Sequence, residues 1–165
     1  MVTEHDIREV LSGIPDPELP VSIVDLGLVK NVEVTDARVR VDLLPTWTGC
    51  PALEMIARDV VDQVSALDGV DLCTVEWCFE PTWTPDRISS EGQATLKAHG
   101  ITSPGCCQEG SSTVPLGTSV IPCPYCGSDN TRLDSPYGPT RCRSIHFCEA
   151  CRNQFEHMKR TTDDG

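Results

Sequence analysis

Two pairs of cysteines, Cys123-Pro124-Tyr125-Cys126 and Cys148-Glu149-Ala150-Cys151, constrain this chain more than any other feature. Each pair is a knuckle, a tight turn that points two sulfurs at one ion, and Gly127 eases the backbone after the first. The pattern is C-x2-C-x21-C-x2-C, slightly longer than the usual zinc spacing, and the intervening loop can absorb the excess. A polar, Gly- and Pro-rich module of about 40 residues cannot bury a sufficient core. Metal binding has to supply the missing folding free energy, of order 10 kcal/mol in small zinc modules.

The spacing therefore predicts a tetrahedral four-thiolate site at Cys123, Cys126, Cys148 and Cys151. Zinc is the expected ion. Iron bound in the rubredoxin manner uses the same ligands and stays open, although the second knuckle lacks the Pro and Gly typical of it. A closed set of four thiolates leaves no position for substrate, so the metal is expected to be structural. Cys142 is a further cysteine in this zone and a candidate extra ligand; His146 and His157 read as surface or stacking residues.

Ten cysteines would suggest disulfides in a secreted protein. The N-terminal stretch MVTEHDIREV, however, is acidic and has no apolar core, so it is not read as an export signal. A cytoplasmic location is expected, with the cysteines used for metal or thiol chemistry. Apolar runs fall far short of the roughly 18 residues of a membrane span. Net charge is −12; residues 1–120 hold 7 Lys+Arg against 19 Asp+Glu, and residues 121–165 hold 6 of each. The first part should be repelled by nucleic-acid backbones. In the neutral part, Arg132, Arg141, Arg143, Arg152, Lys159 and Arg160 lie among Tyr125, Tyr137, Phe147 and Phe155, a mix able to meet phosphates and bases. The same aromatics suffice as the module's own small core, and the acidic neighbour makes nucleic acid a poor partner.

Three zones follow: an α+β unit over residues 1–103, a linker over 104–121 rich in Pro, Gly, Ser and Thr, and the metal-stapled module over 122–160. Thr3 with Asp6 forms a capping box with a short acid, and Ile7, Val10 and Leu11 follow at helical spacing until Gly13. LVKNVEV and RVRVDLL flank Thr35-Asp36-Ala37 as a half-buried hairpin. After Pro51, the stripe Leu53, Ile56, Ala57, Val60, Val61, Val64, Leu67 marks a strong helix, and Leu72 to Trp77 a third strand. Residues 87–99 add a short helix ended by Gly100. The expected fold is a small mixed sheet with helices on one face, followed by a zinc-ribbon or rubredoxin-like module. Trp83, in PTWTPD, is placed on a loop as the best interface candidate among the tryptophans.

Cys50 stands alone, directly before Pro51. Proline fits best at the first helical position, which puts Cys50 at the N-cap beside unpaired amides and the positive helix end. Both effects favour a thiolate. Thr46 and Thr48 offer hydroxyls nearby. A small buried cysteine would occupy the position equally well on geometry alone.

IPDPELPVSIVDLGLV followed by TWTGCPA resembles the domain shared by the iron–sulfur assembly factor SufT and the targeting subunit of the eukaryotic cytosolic iron–sulfur machinery. In that family three motifs converge on one surface: here Asp16-Pro17-Glu18, then Asp25 with Gly27, then Thr46, Cys50 and Pro51. PTWTPDRISSEGQATLKAHGI, then CPYCGS and an end finishing in FEHMKR, is similar to one bacterial branch, the PaaD family that accompanies the multicomponent phenylacetyl-CoA epoxidase. Cys73, Cys78, Cys106 and Cys107 depart from that pattern and receive no role.

The resemblance implies an accessory, non-catalytic protein in aerobic phenylacetate degradation that assists iron–sulfur or other metal-centre maturation. Cys50 would be a thiolate holding iron or a cluster transiently, with Asp16, Glu18, Asp25 and Thr46 supporting it. Pro-Asp-Pro-Glu is also an ordinary rigid turn, and Asp25 an ordinary Asx-type turn residue. Expected partners are the epoxidase subunits or their iron–sulfur reductase, with homodimerisation left open. The other reading is a stable structural or regulatory oxygenase subunit that makes no use of Cys50. Direct catalysis finds no support: there is no phosphate-cradling glycine loop, nucleotide fingerprint or carboxylate–histidine set for oxygen activation.

Overall fold

A computed structural model describes residues 2–104 and 120–159. The chain divides into two compact units, Met1–Gly92 and Gln93–Gly165. Both carry a sheet, and the α+β class follows directly.

In the first unit, helix α1 (Glu4–Ser12) starts at the capping box expected from the sequence: the Asp6 amide donates to Thr3 Oγ1 at 3.3 Å, and the Thr3 amide donates to Asp6 Oδ2 at 2.8 Å. That pairing also holds the Asp6 carboxyl below its ordinary value, through the Thr3 hydroxyl first. Strands β1 (Val29–Thr35) and β2 (Arg38–Leu43) form the antiparallel hairpin, with Asp36 in the left-handed region at the turn. Helix α2 (Ala52–Ser65) returns the chain, and β3 (Leu72–Trp77) lies parallel to β2. The sheet order is β1-β2-β3.

Strand alternation sorts the two faces. Val32, Val39, Val41, Leu43 and Cys73 point into the core, whereas Lys30, Glu33, Arg38, Arg40 and Glu76 stay exposed. On the outer face Arg40 bridges Glu33 at 3.0 Å and Asp42 at 3.2 Å. Ile56, Val60 and Val64 of α2 and Ile7 and Leu11 of α1 complete the core, each at the spacing that places it on one helix face. The stripe read from the sequence is thus the buried one, with Leu53, Ala57 and Val61 at its margins.

Trp83 is not an interface residue. It is 2% exposed, and its indole Nε1 donates to the Leu26 carbonyl at 2.9 Å. Burying so large a ring requires a partner for its one donor, and the loop carbonyl supplies it. Nearby, Gly27 sits at φ +73°, and a Cβ there would lie 2.5 Å from the Arg87 carbonyl oxygen. Only glycine allows the two segments to approach so closely. Pro85–Arg87 forms a single 3-10 turn before α3 (Ser90–Ala98), so the helix read over 87–99 begins three residues later.

The second unit holds a four-stranded sheet in the order β4-β7-β6-β5, from β4 (Ile101–Thr102), β5 (Thr131–Ser135), β6 (Arg143–Cys148) and β7 (Gln154–Met158). β5, β6 and β7 pair antiparallel, and β4 joins parallel to β7. The unit therefore takes a strand from upstream of the stretch read as a linker. Most of that stretch, with Cys106 and Cys107, lies outside the described residues. Among the described residues no helix is long and apolar enough to cross a membrane.

Gly49, at φ +80°, has open space around its missing Cβ. Gly49→Ala should therefore cost about 1 kcal/mol, the left-handed penalty alone. Gly27→Ala should lose a further 1–3 kcal/mol or so through overpacking against Arg87. Urea denaturation of the two variants beside the parent measures that difference.

Candidate functional site

The four expected sulfurs do come together. Those of Cys123, Cys126, Cys148 and Cys151 lie within 4.8 Å of one another, with Cys123–Cys151 and Cys126–Cys148 both at 3.6 Å. Four ligands about 2.3 Å from a common centre in tetrahedral array are separated by about 3.8 Å, so this donor set fits a zinc-sized ion. Each knuckle has the same backbone. Gly127 donates to the Cys123 carbonyl and Arg152 to the Cys148 carbonyl, both at 2.9 Å, and both donors are left-handed, at φ 73° and 63°. Glycine was legible for the first knuckle; Arg152 in the same conformation was not.

Packed so closely, the thiols cannot all ionise without a cation. Cys151 is drawn down to about 6, first by the Asn153 backbone amide. Although the Ser128 amide favours its thiolate, Cys126 is pushed up to about 12 by desolvation and by the neighbouring thiols. Cys151 is thus the sulfur that most readily carries negative charge, and a bound cation would offset the repulsion among further thiolates. Cys142 stands outside this group; its sulfur lies 3.1 Å from Thr140 Oγ1 and its carbonyl accepts from the Lys159 amide.

The histidines are ring-packing residues, as read. His146 stacks on Phe155 with centroids 5.5 Å apart, and His157 meets it edge-on at 5.7 Å. His157 Nδ1 lies 2.8 Å from Thr102 Oγ1. Most of the module's cations are engaged internally: Arg132 pairs with Asp134 and Glu149 beside the Phe147 ring, Arg143 is buried against Glu156, and Lys159 stands over Tyr137. Arg160 lies outside the described residues.

In the first unit, Trp47 to Cys50 form a β-turn closed by the Cys50 amide on the Trp47 carbonyl at 3.4 Å, with Gly49 at the third position. The cap of α2 is Pro51, already helical at φ −65° and ψ −20°, with no side-chain capping bond. Cys50, expected at the N-cap, accordingly sits one residue before it, and its carbonyl accepts from the Leu53 amide at 3.2 Å. Its sulfur is half-buried and 3.8 Å from Glu18 Oε2, so a carboxylate, brought by a loop 32 residues away, is its side-chain neighbour.

Asp16 and Asp25 have different jobs. Asp16 Oδ1 accepts from the Glu18 and Leu19 amides at 2.8 and 2.9 Å, which fixes the turn that carries Glu18. Asp25 accepts from Ser22 Oγ at 2.9 Å and Ser89 Oγ at 2.7 Å, and its amide donates back to Ser22 Oγ. Thr46 is half-buried in the loop before Cys50. Ser22 and Ser89 went unnoticed in the sequence, although Ser22-Ile23-Val24-Asp25 is a capping-box pattern. Asn153, whose side-chain Nδ2 donates to Cys151 Sγ at 3.5 Å, had no signal at all. Cys73 is buried on the core face of β3, where burial pushes its thiol up.

Comparison with known proteins separates along the same division. Residues 4–77 match the family model of an iron-sulfur cluster assembly protein, and residues 108–159 that of the PaaD zinc beta ribbon domain. A protein of Escherichia coli (strain K12) named as one of the components of 1,2-phenylacetyl-CoA epoxidase is 33% identical over 156 residues, covering 94% of this chain and 92% of the relative. An Fe-S protein maturation auxiliary factor of Porphyromonas gingivalis is 40% identical over 95 residues, 57% of this chain and 90% of its own length. A crystal structure of a domain of unknown function, DUF59, from Bacillus anthracis aligns at a TM-score of 0.53 with 30% identity, over 56% of this chain and 90% of that one.

Two outcomes follow from the second unit's geometry. Purified protein should hold one metal ion per chain, and a strong chelator should remove it together with folding free energy on the order of 10 kcal/mol; metal analysis with circular dichroism checks this. His157 is pushed down to about 4 from 6.5, by burial first and by His146 second. As pH falls through that window the unfolded chain takes up a proton that the folded one refuses, so stability drops, and nothing is lost above it. His157→Asn should flatten this slope in denaturation measured at neutral and at mildly acid pH.

Proposed function

The chain belongs to the PaaD family, and from that premise we propose that it is an accessory factor of a phenylacetyl-CoA epoxidase system, assisting assembly or repair of its iron–sulfur or iron centres in aerobic phenylacetate degradation. Its partners are then the epoxidase subunits or their iron–sulfur reductase. Support comes from the relatives' names, which set an epoxidase component beside Fe-S maturation auxiliary factors, and from the family models on the two parts of the chain.

The observation that carries the chemical part is the contact of Cys50 Sγ with Glu18 Oε2 at 3.8 Å, beside a helix start that lacks a side-chain cap. The positive end of α2 favours the thiolate, while the carboxylate opposes a second negative charge. In the absence of cargo the thiol proton is therefore held toward Glu18. An arriving iron cation can replace that proton and be held by both groups, and it leaves again because the rest of its ligands must come from elsewhere. Asp16 positions Glu18 for this, Asp25 secures the loop beneath, and Thr46 lies in the same approach. The four-cysteine metal, zinc in this reading, supplies folding stability to a module that serves as a docking surface.

The scaffold alternative, a structural or regulatory subunit without chemistry of its own, draws on the internal engagement of Asp16 and Asp25. Cys50→Ala separates the two. Cells carrying it should accumulate epoxidase reductase with depleted cluster content and should oxidise phenylacetate slowly. Fully loaded, fully active reductase in that background would leave only the scaffold. Glu18→Gln should weaken iron binding by the purified protein roughly tenfold, as read by anaerobic titration.

A further inference from the structure

The four sulfurs of the ribbon are not equally placed. Cys123 and Cys148, the first cysteine of each knuckle, are 2% and 0% exposed. Together with Phe155 they form a small apolar cluster, and Ile121 and Cys151 pack against it. Cys151 is in addition covered by Asn153, whose side-chain amide donates to the sulfur at 3.5 Å. Cys126 stands outside that cluster and is exposed. Burial of Cys123 and Cys148 and the Asn153 cover on Cys151 deny approach, whereas Cys126 meets the Ser128 amide and is still exposed, so access for an electrophile is greatest at that one sulfur of the four.

We propose that Cys126 is the entry point for soft electrophiles, peroxides and alkylating agents, into the four-thiolate site, and that Cys148 is its resolving partner. This rests on the four cysteines holding a metal. With hydrogen peroxide, the Cys126 sulfur attacks one oxygen; an S–O bond forms, the O–O bond breaks, and hydroxide leaves. The product is a sulfenic acid. Cys148, whose sulfur is 3.6 Å away, then attacks that sulfur and displaces a second hydroxide, closing a disulfide. Two thiolates are oxidised by two electrons in all, one peroxide is reduced, and the two hydroxides are neutralised to water by protons from the buffer. With two of its four thiolates consumed, the site no longer holds its ion. An alkylating agent stops at the first step, with an S–C bond on Cys126 alone.

The test uses the full-length, metal-loaded protein with sub-stoichiometric N-ethylmaleimide, then peptide mapping by mass spectrometry. Among the four ribbon cysteines, Cys126 should be labelled at least about tenfold ahead of Cys123, Cys148 and Cys151. Hydrogen peroxide should give a Cys126–Cys148 disulfide, and metal should appear in solution with the same time course, as read by a chromogenic chelator. Asn153→Ala should raise labelling of Cys151 toward that of Cys126 while leaving Cys123 and Cys148 unchanged. Labelling of Cys151 first, equal labelling of all four, or a disulfide that omits Cys126 would each overturn the proposal. Purified protein without metal would instead refute the four-thiolate site, a result visible before any electrophile is added.

Discussion

The Asp25 carboxylate is the interaction on which the first unit's surface depends. It accepts from Ser22 and Ser89, and its backbone carbonyl also accepts from the Ser89 amide at 2.8 Å. That clasp joins the Asp-Leu-Gly segment to residues 87–92, where Gly27 and Gly92 let the backbones approach closely. Ser22 in turn bridges to Pro15, and the Asp16 amide donates to the Val21 carbonyl, which sets the turn presenting Glu18. A chain of short polar contacts thus runs from a loop with no chemistry to the carboxylate beside Cys50. Losing the clasp would displace the acid without touching it, which is how a positioning residue acts at a distance.

The second unit obeys another constraint. The apolar cluster around its knuckles is three buried residues, two of them cysteines, and with Leu96, Ile101 and Met158 it still leaves little apolar area for a module of this size. Ion pairs at its surface contribute little each. Stability therefore sits in the donor set, and the sheet's main work is to bring two knuckles face to face. Thr131 of β5 lies opposite Cys148, so strand register fixes one knuckle relative to the other.

How much of this was legible in the sequence depends on range. Local patterns read true: the Thr3–Asp6 box, the hairpin around Asp36, the α2 stripe and the two cysteine pairs all rest on neighbours within a few residues. Long-range pairings were out of reach. Trp83 was placed at a surface because a Pro-rich loop looks exposed, and nothing local shows that the Leu26 carbonyl waits for its indole 57 residues away. The helix start moved by one residue because Pro51, a good first helical residue, serves equally as a helical cap; the thiol of Cys50 then finds a carboxylate where amides were expected. Motif positions alone brought Asp16, Glu18 and Asp25 into one discussion, but only coordinates separate the acid that touches sulfur from the two that fasten loops.

Strand β4 has a topological consequence. Since Ile101–Thr102 pairs with β7, and Cys123 belongs to the same unit, the stretch between them starts and finishes within a single body. It closes a circuit and does not set the reach between two bodies. Lengthening such a circuit is cheap, about 0.6 kcal/mol for each doubling. An insertion between those two anchors should therefore change stability far less than one that breaks the β4–β7 pairing.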